Sequence, residues 1–361
     1  MTLKLWLPFL AFAALVAMAW FPRVSARAGE VPSTAGYKVL DPIRHGNLTV
    51  FPVVAATSHD THEFLTLDEG VRSGEVVVTE YGNVQPLMRR RETPIPRGGA
   101  QVNQLVLVNN SKRPLILLAG EIVTGGKQDR VIGKDRIVPA ESDPIDLNVF
   151  CVEPGRWTAT SAKFGSLGSA MAQPAVRAKA MGAKDQQQVW DQVRKQQASV
   201  SANLGASEAV TVNGTTSYAR VMDNAAVKEQ VDSVAEPIQR SYLSLIHELR
   251  DKNAVGVVVA VNGEIIWADI FASTNLLEKY WPKLVRSYAA EAIVTKTGSR
   301  EIGAKAAQEF LENVEGRRET VESEPGLYRH TEITGDGFKA FELTSLLPKT
   351  GFDLHVAKMA E

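Results

Sequence analysis

Residues 120–157 concentrate the side chains of this sequence that could do chemistry. They hold a Gly125-Gly126 turn, two lysines, three arginines, the only cysteine, and a strand ending in Glu153, Arg156 and Trp157. A Gly-Gly turn lets backbone N–H groups converge, and Lys127, Gln128 and Arg130 follow it directly. Such an arrangement can cradle a phosphate or a carboxylate. The P-loop spacing is absent, and the plainer alternative is a hairpin turn with solvated charges. Arg156 and Trp157 would add a cation and an aromatic face to the same rim. Glu121 and Glu153 are the candidate general bases if the site hydrolyses what it binds.

Cys151 and Glu153 share one face of their strand, because side chains alternate with period 2. A neighbouring carboxylate raises a thiol pKa and disfavours the thiolate. No histidine lies nearby in sequence to serve as its base, so Cys151 reads as a packing residue. His59, Asp60, His62 and Glu63 are metal-ligand types without a recognised metal spacing; they read as a polar loop capping a helix. His247, His330 and His355 stand alone and read as structural or solvent-exposed. No metal and no cofactor is expected.

The elements that must position these residues follow from hydrophobic spacing. Residues 48–54, 75–81, 105–108, 114–118, 121–124, 130–132, 136–138 and 147–152 read as short strands joined by Asn, Gly and Ser turns, which argues for antiparallel pairing. Residues 64–72 fit a short helix. The stretch 161–184, rich in Ala, Gly and Ser, reads as a loop with one helical turn, and 205–217 as turn-rich. Asp185 can cap a helix carrying Val189, Trp190 and Val193. A second helical stretch spans 225–250, with Pro237 as a kink.

In the last third, Asn262-Gly263 between two apolar runs is a strong hairpin signal. Apolar residues spaced three and four apart from Leu276 to Ala292 predict an amphipathic helix, bent at Pro282. A helix over 302–314 and a meander over 317–343 complete the reading. Both 114–131 and 255–272 run apolar–turn–Gly-Glu-Ile–apolar, so two equivalent hairpins are one possibility.

Length and composition narrow the function classes. Lys4, an apolar run of about 17 residues and Ala26-Arg27-Ala28 suggest an export signal over residues 1–28, the alternative being a membrane anchor over 5–21. Its removal takes Lys4, Arg23 and Arg27 and no acid, moving the net charge from −1 to −4. That balance disfavours general nucleic-acid binding, which needs a positive footprint. A single cysteine excludes an intrachain disulfide. The expected organisation is a signal (1–28), a linker (29–45), a mainly β half (46–160), a helical region with loops (161–254) and an α+β half (255–361), with 46–361 as one unit. The fold class is α+β, with a mainly antiparallel N-terminal sheet.

Three segments together resemble the ARG and rhodanese-phosphatase-superfamily-associated protein domain family. They are Gly120-Glu121 with Lys127, Gln128 and Arg130; Cys151-Val152-Glu153 with Gly155, Arg156 and Trp157; and Trp281-Pro282-Lys283-Leu284. Asp129 stands where the family usually has Asn, and Asp185, Val189 and Trp190 resemble its central helix. The resemblance covers about 46–293. It implies a link to ADP-ribose or nucleotide phosphates and raises the expectation of a site at Lys127, Gln128, Arg130, Glu153 and Arg156.

The expectation is an exported, periplasmic or secreted protein that binds a small anionic group through Gly125, Gly126, Lys127, Gln128, Arg130, Arg156 and Trp157. Alternatives are a hydrolase of a nucleotide- or ADP-ribose-like compound using Glu121 or Glu153, and a structural interaction domain. A membrane contact is expected only if the N-terminal segment is retained.

Overall fold

The computed structural model describes residues 36–81, 99–249, 252–295, 298 and 300–361. The signal and anchor expectations for residues 1–28 lie outside them. In chain order the strands are β1 (Tyr37–Val39), β2 (Ile43–His45), β3 (Leu48–Ala55), β4 (Leu65–Thr66), β5 (Val76–Glu80) and β6 (Gln104–Asn109). Next come β7 (Leu115–Leu117), β8 (Ile122–Thr124), β9 (Arg130–Ile132), β10 (Arg136–Val138), β11 (Ile145–Cys151) and β12 (Gly165–Ser166). The last six are β13 (Asn253–Val261), β14 (Glu264–Phe271), β15 (Gly316–Glu324), β16 (Tyr328–Gly335), β17 (Phe338–Ser345) and β18 (Asp353–Ala360). The helices are α1 (Leu67–Ser73), α2 (Pro174–Ala178), α3 (Gln186–Ala202), α4 (Ala206–Asn213), α5 (Tyr218–Asp223), α6 (Ala225–Glu248), α7 (Thr274–Val294) and α8 (Ala304–Glu312). A π-helical turn, Lys179–Ala183, continues α2.

Local chemistry explains most boundaries. Thr66 and Glu69 form a reciprocal capping box on α1, and Gly74 ends it at φ 74°. Asp185 accepts from the Gln188 N–H and starts α3 as expected, and Ser273 does the same for α7 through the Leu276 N–H. Asn262 and Gly263 both take positive φ, 54° and 75°, and close the β13–β14 hairpin. Pro237 and Pro282 lie inside α6 and α7, which continue through them.

Three main cores result. The nine-stranded antiparallel sheet runs β1-β3-β13-β14-β18-β17-β16-β15, with β2 beside β3. Alternation along β3 and β13 sends Val50, Val257 and Val259 into one core with α6 and α7, and Phe51, Val53 and Val258 into another with α8. The third core lies between the six-stranded sheet β12-β8-β9-β11-β6-β5 and the three-stranded sheet β10-β7-β4. The described residues form one compact unit.

The fold is α+β, and its N-terminal half is antiparallel except for the β4–β7 pair. Three local readings change, and 353–360, for which no element was expected, is a strand. The 161–184 stretch contains α2 and the π turn, and the 205–217 stretch contains α4. The two Gly-Glu-Ile segments are not equivalent hairpins, because β7 and β8 belong to different sheets whereas β13 and β14 pair.

Candidate functional site

The Gly125–Gly126 turn joins β8 to β9, with φ 120° and 48°. A Cβ on Gly126 would stand 2.2 Å from the Phe164 ring, so only glycine fits. The converging N–H groups are already taken. Gly125 donates to Asp129 Oδ1 (2.9 Å), Gly126 to Ser161 Oγ (3.1 Å) and Lys127 to Glu80 Oε1 (2.6 Å). The chain's own carboxylates thus occupy two of the three places an external anion would fill.

The cations of this turn are committed as well. Arg130 is fully buried and donates to the carbonyls of Val102 (2.7 Å) and Gln128 (2.6 Å). Arg156 meets Glu153 at 2.5 Å and Asp129 at 3.5 Å, and donates to the Gly126 and Thr158 carbonyls. Gln128 donates to the Glu153 carbonyl (3.1 Å), and the Asp129 N–H to the Glu153 carboxylate (3.0 Å). Ser217, which caps α5, reaches Asp129 at 2.6 Å. The expected binding residues are therefore brought together, but as a knot tying β8, β9, the end of β11 and α5. Lys127 and Trp157 remain at the surface, the ammonium 4.9 Å from the centre of the indole. Cys151 is buried, and burial pushes its thiol up.

Glu121 sits elsewhere. It is buried, accepts from the Leu118 N–H (2.8 Å), and pairs with Lys283, which also meets Asp68 at 2.7 Å. Burial alone would lower the Lys283 ammonium, but Glu121 and Asp68 hold it above its ordinary value. The Gly-Glu and Trp-Pro-Lys-Leu segments thus meet through this pair. Both candidate bases, Glu121 and Glu153, are buried in ion pairs.

A further cluster has no motif in the sequence. Asp135, Arg177, Asp269 and His355 are all fully buried. Arg177 grips Asp269 with two bonds of 2.8 Å and lies 4.4 Å from the Trp267 ring centre. His355 bridges Asp135 (2.5 Å) and Asp269 (3.0 Å), and Tyr288 donates to Asp269. Burial would lower the imidazole, but the two carboxylates raise it to about 9, so it is an imidazolium. Two cations balance two anions. Gly120, at φ 96°, serves this cluster, since a Cβ there would stand 2.7 Å from Arg177 Cγ. His355 is neither isolated nor exposed, because β18 carries it into the middle of the sheet.

Next to Asp135 the chain turns outward into a cleft of about 310 Å³. Lys134 lines it from the β9–β10 connection, Asn148 and Phe150 from β11, Met181 from the π turn, and His330 and Glu332 from β16. Lys184 also faces it, from a left-handed residue (φ 53°) that ends the π turn by donating to the Lys179 carbonyl. Lys184 pairs with Glu332, and Lys134 with Glu322. Among the described residues, neither ring nitrogen of His330 has a hydrogen-bond partner, although the residue is only 1 % exposed. Burial lowers its pKa, so the ring is neutral. Burial also lowers the Lys134 ammonium to about 8, helped by Arg136 and Lys184. Unpartnered buried imidazole, perturbed lysine and π turn in one concavity are the usual marks of a site. Sequence reading missed these residues: Lys134 and Asn148 lie inside 120–157, but Lys184 and His330 arrive from far away.

At the 59–63 loop, His62 bonds to Asp60 (2.9 Å) and His59 stacks on Phe352. Among the described residues no group of His, Cys, Asp and Glu is arranged to hold a metal, and no helix is long and apolar enough to cross a membrane.

These features define an α+β protein with an internally neutralised glycine turn and an open, lysine-flanked cleft. The chain belongs to the ARG and Rhodanese-Phosphatase-superfamily-associated Protein domain family, whose model matches residues 36–357. The match extends beyond the 46–293 stretch on both sides and takes in β15 to β17 and most of β18. No curated protein and no solved structure matches the chain.

Proposed function

We propose that this chain is an exported binding protein for a small anionic organic molecule, held in the cleft between Lys134, Lys184 and His330. The observation that carries the reading is the His330 ring, buried at a cleft wall with both nitrogens unpartnered, in a cleft that Lys134 and Lys184 also line. An unmet buried polar group is costly, and a ligand supplying one acceptor and one donor removes that cost. Phe150, Phe341 and Met181 offer an apolar wall to the body of such a ligand. A volume near 310 Å³ lies at the small end for ligand sites and favours a compact anion over a dinucleotide. The anion site thereby moves from the Gly125–Gly126 turn, whose donors are in use, to the cleft. The hydrolase alternative loses its free carboxylate at Glu121 and Glu153.

A thermal-shift panel of small carboxylates, phosphates and nucleotides tests this, since a ligand bound only by the folded state raises the melting temperature. A Lys134→Gln/Lys184→Gln double variant should bind any hit at least about tenfold more weakly, because each charge-assisted bond is worth about 1.5–3 kcal/mol. Equal shifts in wild type and double variant, or none from any anion, would refute the cleft as the site.

A further inference from the structure

We propose that Lys134 is a nucleophilic amine that condenses reversibly with a small oxo acid in the cleft. The proposal rests on the cleft being the ligand site. Its geometry is specific. Lys134 lines the cavity and pairs with Glu322 on β15. Glu322 is the cross-strand partner of His330 on β16; Glu322 contacts the Lys134 amine, and the His330 ring lies within its electrostatic reach. Arg136 approaches the same carboxylate at 3.9 Å, and the Tyr328 hydroxyl donates to it. Lys184 lines the same cavity and can hold the acid's carboxylate.

A partly buried lysine beside other cations, as Lys134 is, is the arrangement that makes an amine available for attack on a carbonyl. Burial, Arg136 and Lys184 bring Lys134 down to about 8, toward the amine that attack requires, while the Glu322 carboxylate in contact with it is placed to take its proton. Burial and Glu324 raise the Glu322 carboxyl, so proton exchange within the pair becomes easier.

The step balances without an oxidant or reductant. Glu322 takes one proton from the ammonium, and the freed nitrogen pair forms a bond to the carbonyl carbon. The carbonyl π pair moves to oxygen, which receives the proton that Glu322 took, relayed by the neutral His330 ring. The carbinolamine then loses its hydroxyl with a second proton as water, leaving a C=N bond to Lys134. Hydrolysis runs the same steps backwards.

Lys358 provides an internal comparison. Its amine is also lowered, to about 8, but it donates to the Phe310 and Asn313 carbonyls and lies over two phenyl rings away from the cleft. The test is reductive trapping of the whole protein with pyruvate or glyoxylate and cyanoborohydride, followed by peptide mass mapping. The expected result is an adduct at Lys134 at least about tenfold more abundant than at Lys184 or Lys358. His330→Asn should slow trapping by about a hundredfold, the usual scale of a lost proton-transfer group. Adducts spread over surface lysines in proportion to exposure would overturn the proposal. So would a melting-temperature shift with pyruvate but no trapping at Lys134, and that result would leave the binding reading standing. Absence of both shift and trapping with either oxo acid would also overturn it, whereas shifts from other anions would show that the cleft still binds. The wild-type map decides the matter even if a variant fails to fold.

Discussion

Asp269 keeps a full charge at zero exposure because Arg177, Tyr288 and His355, from three different elements, all donate to its two oxygens. Removing one member of such a buried set costs more than the set adds in net stability. Asp269→Asn should therefore lower unfolding free energy by about 3–5 kcal/mol in denaturant titrations. His355 sets the alkaline limit. Its folded pKa, about 9, lies above the ordinary 6.5, so its contribution is complete below 6.5 and is lost as pH rises through 9. Stability should fall over that window by up to roughly 3 kcal/mol. A His355→Gln protein should show a flatter profile there; an unchanged slope would refute the assignment. Charge reversal separates the two ends of the glycine turn. Arg130→Glu should abolish folding, whereas Lys127→Glu at the surface should stay within about 0.5 kcal/mol of wild type. At this scale the sequence showed residue types but not partners. Lys127, Arg130 and Arg156 are three cations of one sequence run, and only folding reveals that two of them face carboxylates and carbonyls. Glu121 finds Lys283 at a separation of 162 residues, which no local pattern records.

Elements were legible where a local signal decides them. The Asp185 cap, the Asn262-Gly263 hairpin and the three-and-four spacing of α7 need no tertiary information. Asp185→Ala should cost about 1 kcal/mol in thermal or chemical unfolding. Its effect should extend to β11, because Gln186 in the first turn of α3 bonds both the N–H and the carbonyl of Cys151. Elements were illegible where packing overrides pattern. The stretch of α2 and the π turn is too poor in large apolar residues to show a period, yet Val176, Ala180 and Met181 are buried. β18 hides for the opposite reason. His355 and Lys358 occupy buried positions and break the alternation that marks a strand, and both are satisfied internally by carboxylates, carbonyls and aromatic rings.

The whole molecule is held together by pairings between distant parts of the chain. β3 pairs with β13, and β14 with β18, so the first and last thirds share one sheet. Fold class could be read from strand and helix signals, but this interleaving could not, since sequence spacing says nothing about which strands meet. Nor could the cleft, whose wall is assembled from β9–β10, β11, the π turn and the terminal meander. Such long-range pairing predicts slow folding. Deleting residues 353–361 should leave no cooperative unfolding transition, because β18 lies between β14 and β17 and carries His355. A truncated chain that still melts cooperatively would contradict that role.

The interior position of β18 also bears on how the protein is born. The strand that joins β14 to β17 is translated after both of them, and the buried charges of Asp135 and Asp269 wait for an imidazolium translated at position 355. Until then two carboxylates lack their shared cation and the sheet stands in two parts. Folding of this unit therefore waits for position 355 to leave the ribosome, and the polypeptide already made stays open and threadable until then.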